Sequence, residues 1–137
     1  MMSQALTKVA STHQTEWFRA EDDIFVGIPE PGYKDSLEAA RANAETLRKL
    51  AQGLGRKCGI VIVMSNLISQ DAEVRQAYAE GVPQDRMYGV ALVAANPLAR
   101  AISSFYLGLA KRAVPIPVKL VDSIEEGVRW LGGLRGA

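Results

Sequence analysis

The chain reads as a single-domain α/β fold, with a mixed, mostly parallel sheet of about five strands, an N-terminal β-hairpin and four helices. Two patterns predict it. Three short apolar runs, at 58–63, 88–94 and 116–121, are each followed by a helical stretch, at 71–80, 97–112 and 123–131. Strands this apolar, separated by helices, belong to a parallel sheet covered by its own crossovers. Before them, aromatic and β-branched residues flank a short acidic turn: Trp17 and Phe18 on one side, Ile24–Ile28 on the other. That is a hairpin signal.

Size and composition agree. At 137 residues the chain suits one domain and buries enough surface to fold without disulfide or metal. A hydrophobic fraction of 48%, a charged fraction of 23% and a net charge of +1 describe an ordinary globular protein. They supply no field of one sign to hold nucleic acid. No apolar run reaches the length of a membrane span and no signal-peptide core is present, so a cytoplasmic location is expected. The single cysteine, Cys58, cannot form an intrachain disulfide, which suits that compartment.

The expected organisation is a flexible or edge-strand segment over 1–14, the domain over 15–131 and a tail over 132–137. In the turn, Glu21, Asp22 and Asp23 read as a solvated acidic cluster, since they lack the glycine and spacing of a calcium loop. Pro29, Pro31 and Gly32 stop the hairpin. Asp35 is then a good N-cap, with Glu38 placed to complete a capping box. Leu37, Ala40, Ala44, Leu47, Ala51 and Leu54 form the apolar stripe of the first helix, with Glu45 and Lys49 on its opposite face. Gly53 and Gly55 end it. These glycines lie between a helix and the next strand, the wrong side for a dinucleotide-binding turn.

The run at 58–63 shows no alternation, so it is central in the sheet. Its exit lies at the carboxyl edge, where open α/β folds place ligands and functional loops. Ser65, Asn66, Ser69 and Arg75 there form a candidate regulatory loop, with Ser69 also a fitting N-cap for the helix carrying Ala72, Arg75 and Tyr78. Asn96 and Pro97 open the third helix as cap and first residue. Leu98, Ala101 or Ile102, Phe105 and Leu109 are expected to meet the sheet, while Tyr106 and Leu107 point partly elsewhere. This apolar arc is wider than one sheet contact needs. Deep burial would account for it. So would an interface or an apolar ligand wall built from Leu98, Ile102, Phe105, Tyr106, Leu107 and Leu109. Pro117 puts the last strand at an edge. Ser123 or Asp122 caps a final helix with Ile124, Val128 and Leu131 inward.

Catalytic signatures are missing. The only histidine, His13, sits in the polar N-terminal segment, which disfavours a histidine triad or a multi-histidine metal site. Cys58 opens a buried strand with no histidine near it in sequence. There is no Walker loop, nucleophile elbow or zinc-protease helix. The expectation is a protein that is not an enzyme and uses no metal or cofactor.

The segment Ala-Asn-Pro-Leu-Ala-Arg-Ala-Ile-Ser-Ser-Phe-Tyr-Leu-Gly-Leu, followed by Pro-Ile-Pro-Val-Lys-Leu-Val-Asp-Ser-Ile-Glu-Glu-Gly-Val-Arg-Trp-Leu, resembles the C-terminal half of small bacterial proteins grouped as STAS/SEC14-like. The order of elements over 15–131 likewise resembles the SpoIIAA-like, or STAS, domain of bacterial anti-sigma-factor antagonists. That resemblance implies a regulatory, protein-interacting domain switched by phosphorylation of a serine after the central strand, here Ser65 or Ser69. Met64 and Ile68 stand where the family usually carries an aspartate before that serine. The shape relation to SEC14/CRAL-TRIO domains implies the alternative of a carrier for a small apolar ligand or lipid, in a pocket between the sheet and the 97–112 helix with Arg100 at one end. A third alternative is an enzyme using Ser65, Asn66 and Arg75. The expected partner is a second copy of the chain, as a dimer, or another protein.

Overall fold

The computed structural model describes residues 5–12, 14–112 and 116–135, and all of their side chains except those of Phe105 and residues 108–112. His13 lies outside the described residues. Two sheets and four helices follow from the chain order β1 (Thr7–Thr12), β2 (Thr15–Glu21), β3 (Ile24–Pro29), β4 (Tyr33–Lys34), α1 (Leu37–Leu54), β5 (Cys58–Val63), β6 (Leu67–Ser69), α2 (Ala72–Gly81), β7 (Met87–Val93), α3 (Pro97–Arg112), β8 (Val118–Val121) and α4 (Ile124–Arg135). The main sheet has six strands in the order β1-β2-β3-β5-β7-β8. β1, β2 and β3 are antiparallel, and β3, β5, β7 and β8 are parallel. The α/β class, the hairpin, the central place of β5 and the edge place of β8 are as the sequence predicts. β1 is the edge strand that the sequence allows for the N-terminal segment, making six strands where about five are expected, and β4 pairs with β6 in a separate parallel ladder.

Connectivity decides the layers. Each parallel strand is laid next to the one before it in the same direction. Three successive right-handed crossovers therefore place α1, α2 and α3 on one face of the sheet. The strand order never reverses across β3-β5-β7-β8, so the carboxyl edge has no switch-point crevice of the doubly wound kind. Only α4, which follows the last strand, covers the opposite face. Ile24, Val26, Val61, Ala91, Val93, Val121, Val128 and Leu131 form the core there. Strand alternation sends Trp17, Phe25, Cys58 and Ile60 to the three-helix face instead.

α4 sits close to the strands because Gly127 faces them: a methyl group at that position would stand 3.1 Å from the Ala91 Cβ. The expected tail is also part of this helix. Gly132 to Arg135 continue α4, and Arg135 Nη1 donates to Asp23 Oδ1 at 2.6 Å while its Nη2 reaches Glu21 at 3.1 Å. The acidic turn is therefore not simply solvated. Asp23 is 3% exposed, and it also accepts a long bond from Tyr88 OH at 3.4 Å. A buried carboxylate needs such a partner, and the guanidinium supplies it.

Local capping departs from expectation in two places. Ser36, not Asp35, caps α1, its hydroxyl accepting from Ala39 N at 3.1 Å. Asp71, not Ser69, occupies the cap position of α2, because Ser69 is held in β6. Asn96 and Ser123 cap α3 and α4 as expected, accepting from Ala99 N at 2.8 Å and Glu126 N at 3.1 Å. Glu45 pairs with Arg48 rather than Lys49.

Candidate functional site

The three-helix face does not close completely. α1 brings mostly small residues toward the sheet, Ala40, Ala44 and Ala51, with Leu47 among them. The short α2 makes its closest backbone approaches to α1 and α3, with Val74 its buried side chain. A cavity of about 130 Å³ remains between sheet and helices. Its floor is Trp17, Ile60, Ile62, Val90, Leu92 and Val118, and its roof includes Leu47, Tyr78, Ala79, Val82 and Tyr106. Ile62 and Val90 belong to the two central strands, yet each is only half-buried. Both line the cavity, and the cavity accounts for their exposure.

A polar network lies behind one wall, and the second small ladder builds it. Pairing of Tyr33 with Leu67 draws the segment after β3 against the segment after β5. Two backbone bonds fasten the join, Gly32 N to Asn66 O at 3.1 Å and Asp35 N to Ser69 O at 3.2 Å. Gly32, at φ 80°, makes the turn after Pro31 that aims Tyr33 inward. Asp35 then accepts from Gln70 Nε2 at 2.9 Å, from Ser36 N at 2.9 Å and from Tyr78 OH at 3.3 Å. Tyr106 OH donates to Gln70 Oε1 at 2.9 Å, so α3 is tied into the same network. Asn43 Nδ2 donates to Tyr78 OH at 3.1 Å.

That network leaves polar atoms over. Tyr78 has one proton and gives it to Asp35, so Asn43 must present its amide NH₂ to Tyr78 and keep its Oδ1 as an acceptor. Asn43 Oδ1 and Trp17 Nε1 have no hydrogen-bond partner, although each of these residues is at most 3% exposed, while Tyr33 OH interacts with the Thr15 hydroxyl and with Asp35. All four residues line the cavity. Their polar atoms are buried beneath a cavity surface that is almost wholly apolar.

The phenols are strongly perturbed. Burial, and then the Asp35 charge, push Tyr33 up to about 12 and move Tyr78 and Tyr106 upward as well. On the α4 face, burial and then Asp23 raise Tyr88, and on the three-helix face the same two causes raise the Cys58 thiol to about 11. These are all four tyrosines of the chain. Their folded pKa values lie above the unfolded value near 10, so their contribution to stability is complete below pH ~10 and is lost as pH climbs toward the folded values. An alkaline titration followed by phenolate absorbance and circular dichroism should show one cooperative step, with phenolates appearing as the fold is lost. A phenolate signal near pH 10 from folded protein would contradict this.

The residues singled out from sequence fall in different places. Ser65 is a staple. Its hydroxyl donates to Val93 O at 3.2 Å and accepts from Ala95 N at 2.9 Å, and Asn96 Nδ2 reaches its carbonyl at 3.0 Å. Asn66 likewise donates to Pro29 O at 2.6 Å. Ser69 is exposed on β6, and Arg75 Nη1 donates to the Gln70 carbonyl, beside the polar network. On α3 the inward face is Ala99, Ile102, Ser103 and Tyr106. Leu98, expected inward, is 46% exposed, because the sheet-facing stripe runs through Ala99, Ile102 and Tyr106 instead. Tyr106 lines the cavity, Leu107 is half-buried, and the side chains of Phe105 and Leu109 lie outside the described residues. Arg100 pairs with Asp122 at 2.7 Å on the surface and is not a cavity residue.

Thr15, Trp17, Tyr33, Asn43, Gln70 and Tyr78 were not singled out as site residues from the sequence. One of them carried a signal: Asn43 is a polar residue inside the apolar stripe of α1. Among the described residues, no three His, Cys, Asp or Glu side chains gather where they would hold a metal, and no helix is long and apolar enough to cross a membrane. No curated protein and no solved structure matches the chain. A family model does match, from Trp17 in the cavity floor to Arg135 at the end of α4, and the chain accordingly belongs to the family described as a domain of unknown function, DUF7793.

Proposed function

We propose that the protein is a binding module for a small, largely apolar molecule held between the sheet and α1, α2 and α3. The observation that carries this reading is the cavity of about 130 Å³, whose surface is almost wholly apolar. An engineered cavity of about 150 Å³ lined by aliphatic and aromatic groups binds benzene. The sequence expectation is a pocket between the sheet and α3 with Arg100 at one end; the cavity proposed as the site is lined by Tyr106 and the neighbouring strands, without Leu98 or Arg100. The cytoplasm is the proposed compartment, in keeping with the single buried thiol of Cys58.

Two measurements test the reading. Purified protein is weighed by native and by denaturing mass spectrometry, and a bound molecule appears as an adduct lost on denaturation. Thermal melts are then run with single-ring compounds, apolar and polar. A ligand at one hundred times its Kd adds about 2.7 kcal/mol to the native state. For a domain of this size that raises Tm by roughly 10 °C. Unchanged melts across the whole panel, with no adduct, would end the proposal.

A further inference from the structure

We infer that the ligand is a single aromatic ring without polar groups, bare or carrying a small alkyl or halogen substituent, held against the indole of Trp17. This rests on the cavity being a binding site and specifies what it selects. Size sets the first limit: about 130 Å³ holds one ring and a small substituent, not an acyl chain.

The surface sets the second. Three of the four tyrosines and one of the two tryptophans of the chain line the cavity: Tyr33, Tyr78, Tyr106 and Trp17. Their polar ends are turned into the protein. Tyr78 OH is held by Asp35 and Asn43, Tyr106 OH by Gln70, and Tyr33 OH by Thr15 and Asp35. Trp17 Nε1 is buried beneath the surface. What these rings show the cavity is carbon. Two buried methionines, Met64 and Met87, complete this part of the lining. Aromatic rings and thioether sulfurs favour another ring over a saturated ligand, through edge-to-face, offset-stacked and sulfur–ring contacts. A polar substituent laid on such a surface gives up its water and gains little in exchange.

Trp17 gives the floor its shape. It pairs across the strands with Gly27, and both residues line the cavity. A Cβ at Gly27 would stand 2.7 Å from the Trp17 ring. Only a bare backbone lets the indole lie this close to the sheet and leaves the space above it open. A methyl group at Gly27 would displace the ring by about 1 Å, into the volume a ligand needs.

The test titrates toluene, methylcyclohexane, benzamide and bromobenzene against the full chain by calorimetry or ligand-observed NMR. Toluene should bind at least about threefold more tightly than methylcyclohexane. It should bind about tenfold more tightly than benzamide. Bromobenzene should quench Trp17 emission through heavy-atom contact, read in Trp130→Phe so that Trp17 is the one indole present. Gly27→Ala should lower toluene affinity by about tenfold. Equal or tighter binding of methylcyclohexane or benzamide would overturn the ligand class while leaving the cavity a binding site. Bromobenzene binding with Trp17 emission unchanged, or full toluene affinity in Gly27→Ala, would overturn the contact with Trp17. The quenching leaves the cavity unaltered, so it decides that contact even where Gly27→Ala does not fold. No binding by any of the four would remove the inference together with the reading beneath it.

Discussion

Leu131→Ala is expected to destabilise the protein by about 3–4 kcal/mol, in the upper half of the usual range for burying an alanine where leucine stood. Leu131 is fully buried on α4, and its two methyl groups lie over two glycines on adjacent strands. A Cβ at Gly59 would stand 3.2 Å from one methyl, and a Cβ at Gly89 would stand 3.0 Å from the other. The hollow that receives the leucine is thus floored by backbone, which cannot relax into the space left behind, and a rigid cavity carries the larger penalty. Total stability for a domain is about 5–15 kcal/mol, so this one change removes a substantial share. Equilibrium denaturation should show a lower midpoint with an unchanged slope. Leu98→Ala on α3 is the control. Leu98 is 46% exposed, and its loss should stay within about 0.5 kcal/mol. If the two variants were equally stable, the inward faces assigned to α3 and α4 would be wrong.

That contrast shows which features sequence periodicity reveals. The alternation of apolar strands with helices was legible because parallel strands buried on both faces leave an unbroken apolar run, as Cys58–Val63 does. Helix phase was less legible. α3 has apolar residues around much of its circumference, so pattern alone could not separate Leu98 from Ala99. Long-range pairings left no local trace: Asp23 finds Arg135 across 112 positions, and neither looks unusual among its neighbours. The cavity is of the same kind, since it depends on how α2 rides on α1 and α3. Asn43 was its one visible mark. A polar residue in a helical stripe otherwise made of alanine and leucine is a conflict between burial and chemistry, and such conflicts cluster at functional sites.

Val90→Phe is expected to separate the cavity from the fold. Val90 lies at the middle of β7, paired with Ile60 on one side and Val118 on the other, and it faces the cavity. A residue on a central strand would ordinarily be sealed by the helices above it, yet Val90 is only half-buried. A phenyl ring grown from this position enters existing space rather than displacing packed neighbours, which distinguishes it from ordinary overpacking. Filling a cavity in this way contributes about 1 kcal/mol of stability. The same ring occupies the volume the ligand needs, so the affinities of an apolar and a polar single-ring probe, toluene and benzamide, should both fall by about a hundredfold or more. The two effects have opposite signs, and that opposition is the informative part: general damage to the fold lowers stability and binding together, whereas occupation of a binding cavity raises one and removes the other. Melts and titrations on the same preparation read both. A variant that is less stable and still binds either ring would show that Val90 does not form the cavity floor. It would move the site away from the junction of β5, β7 and α2.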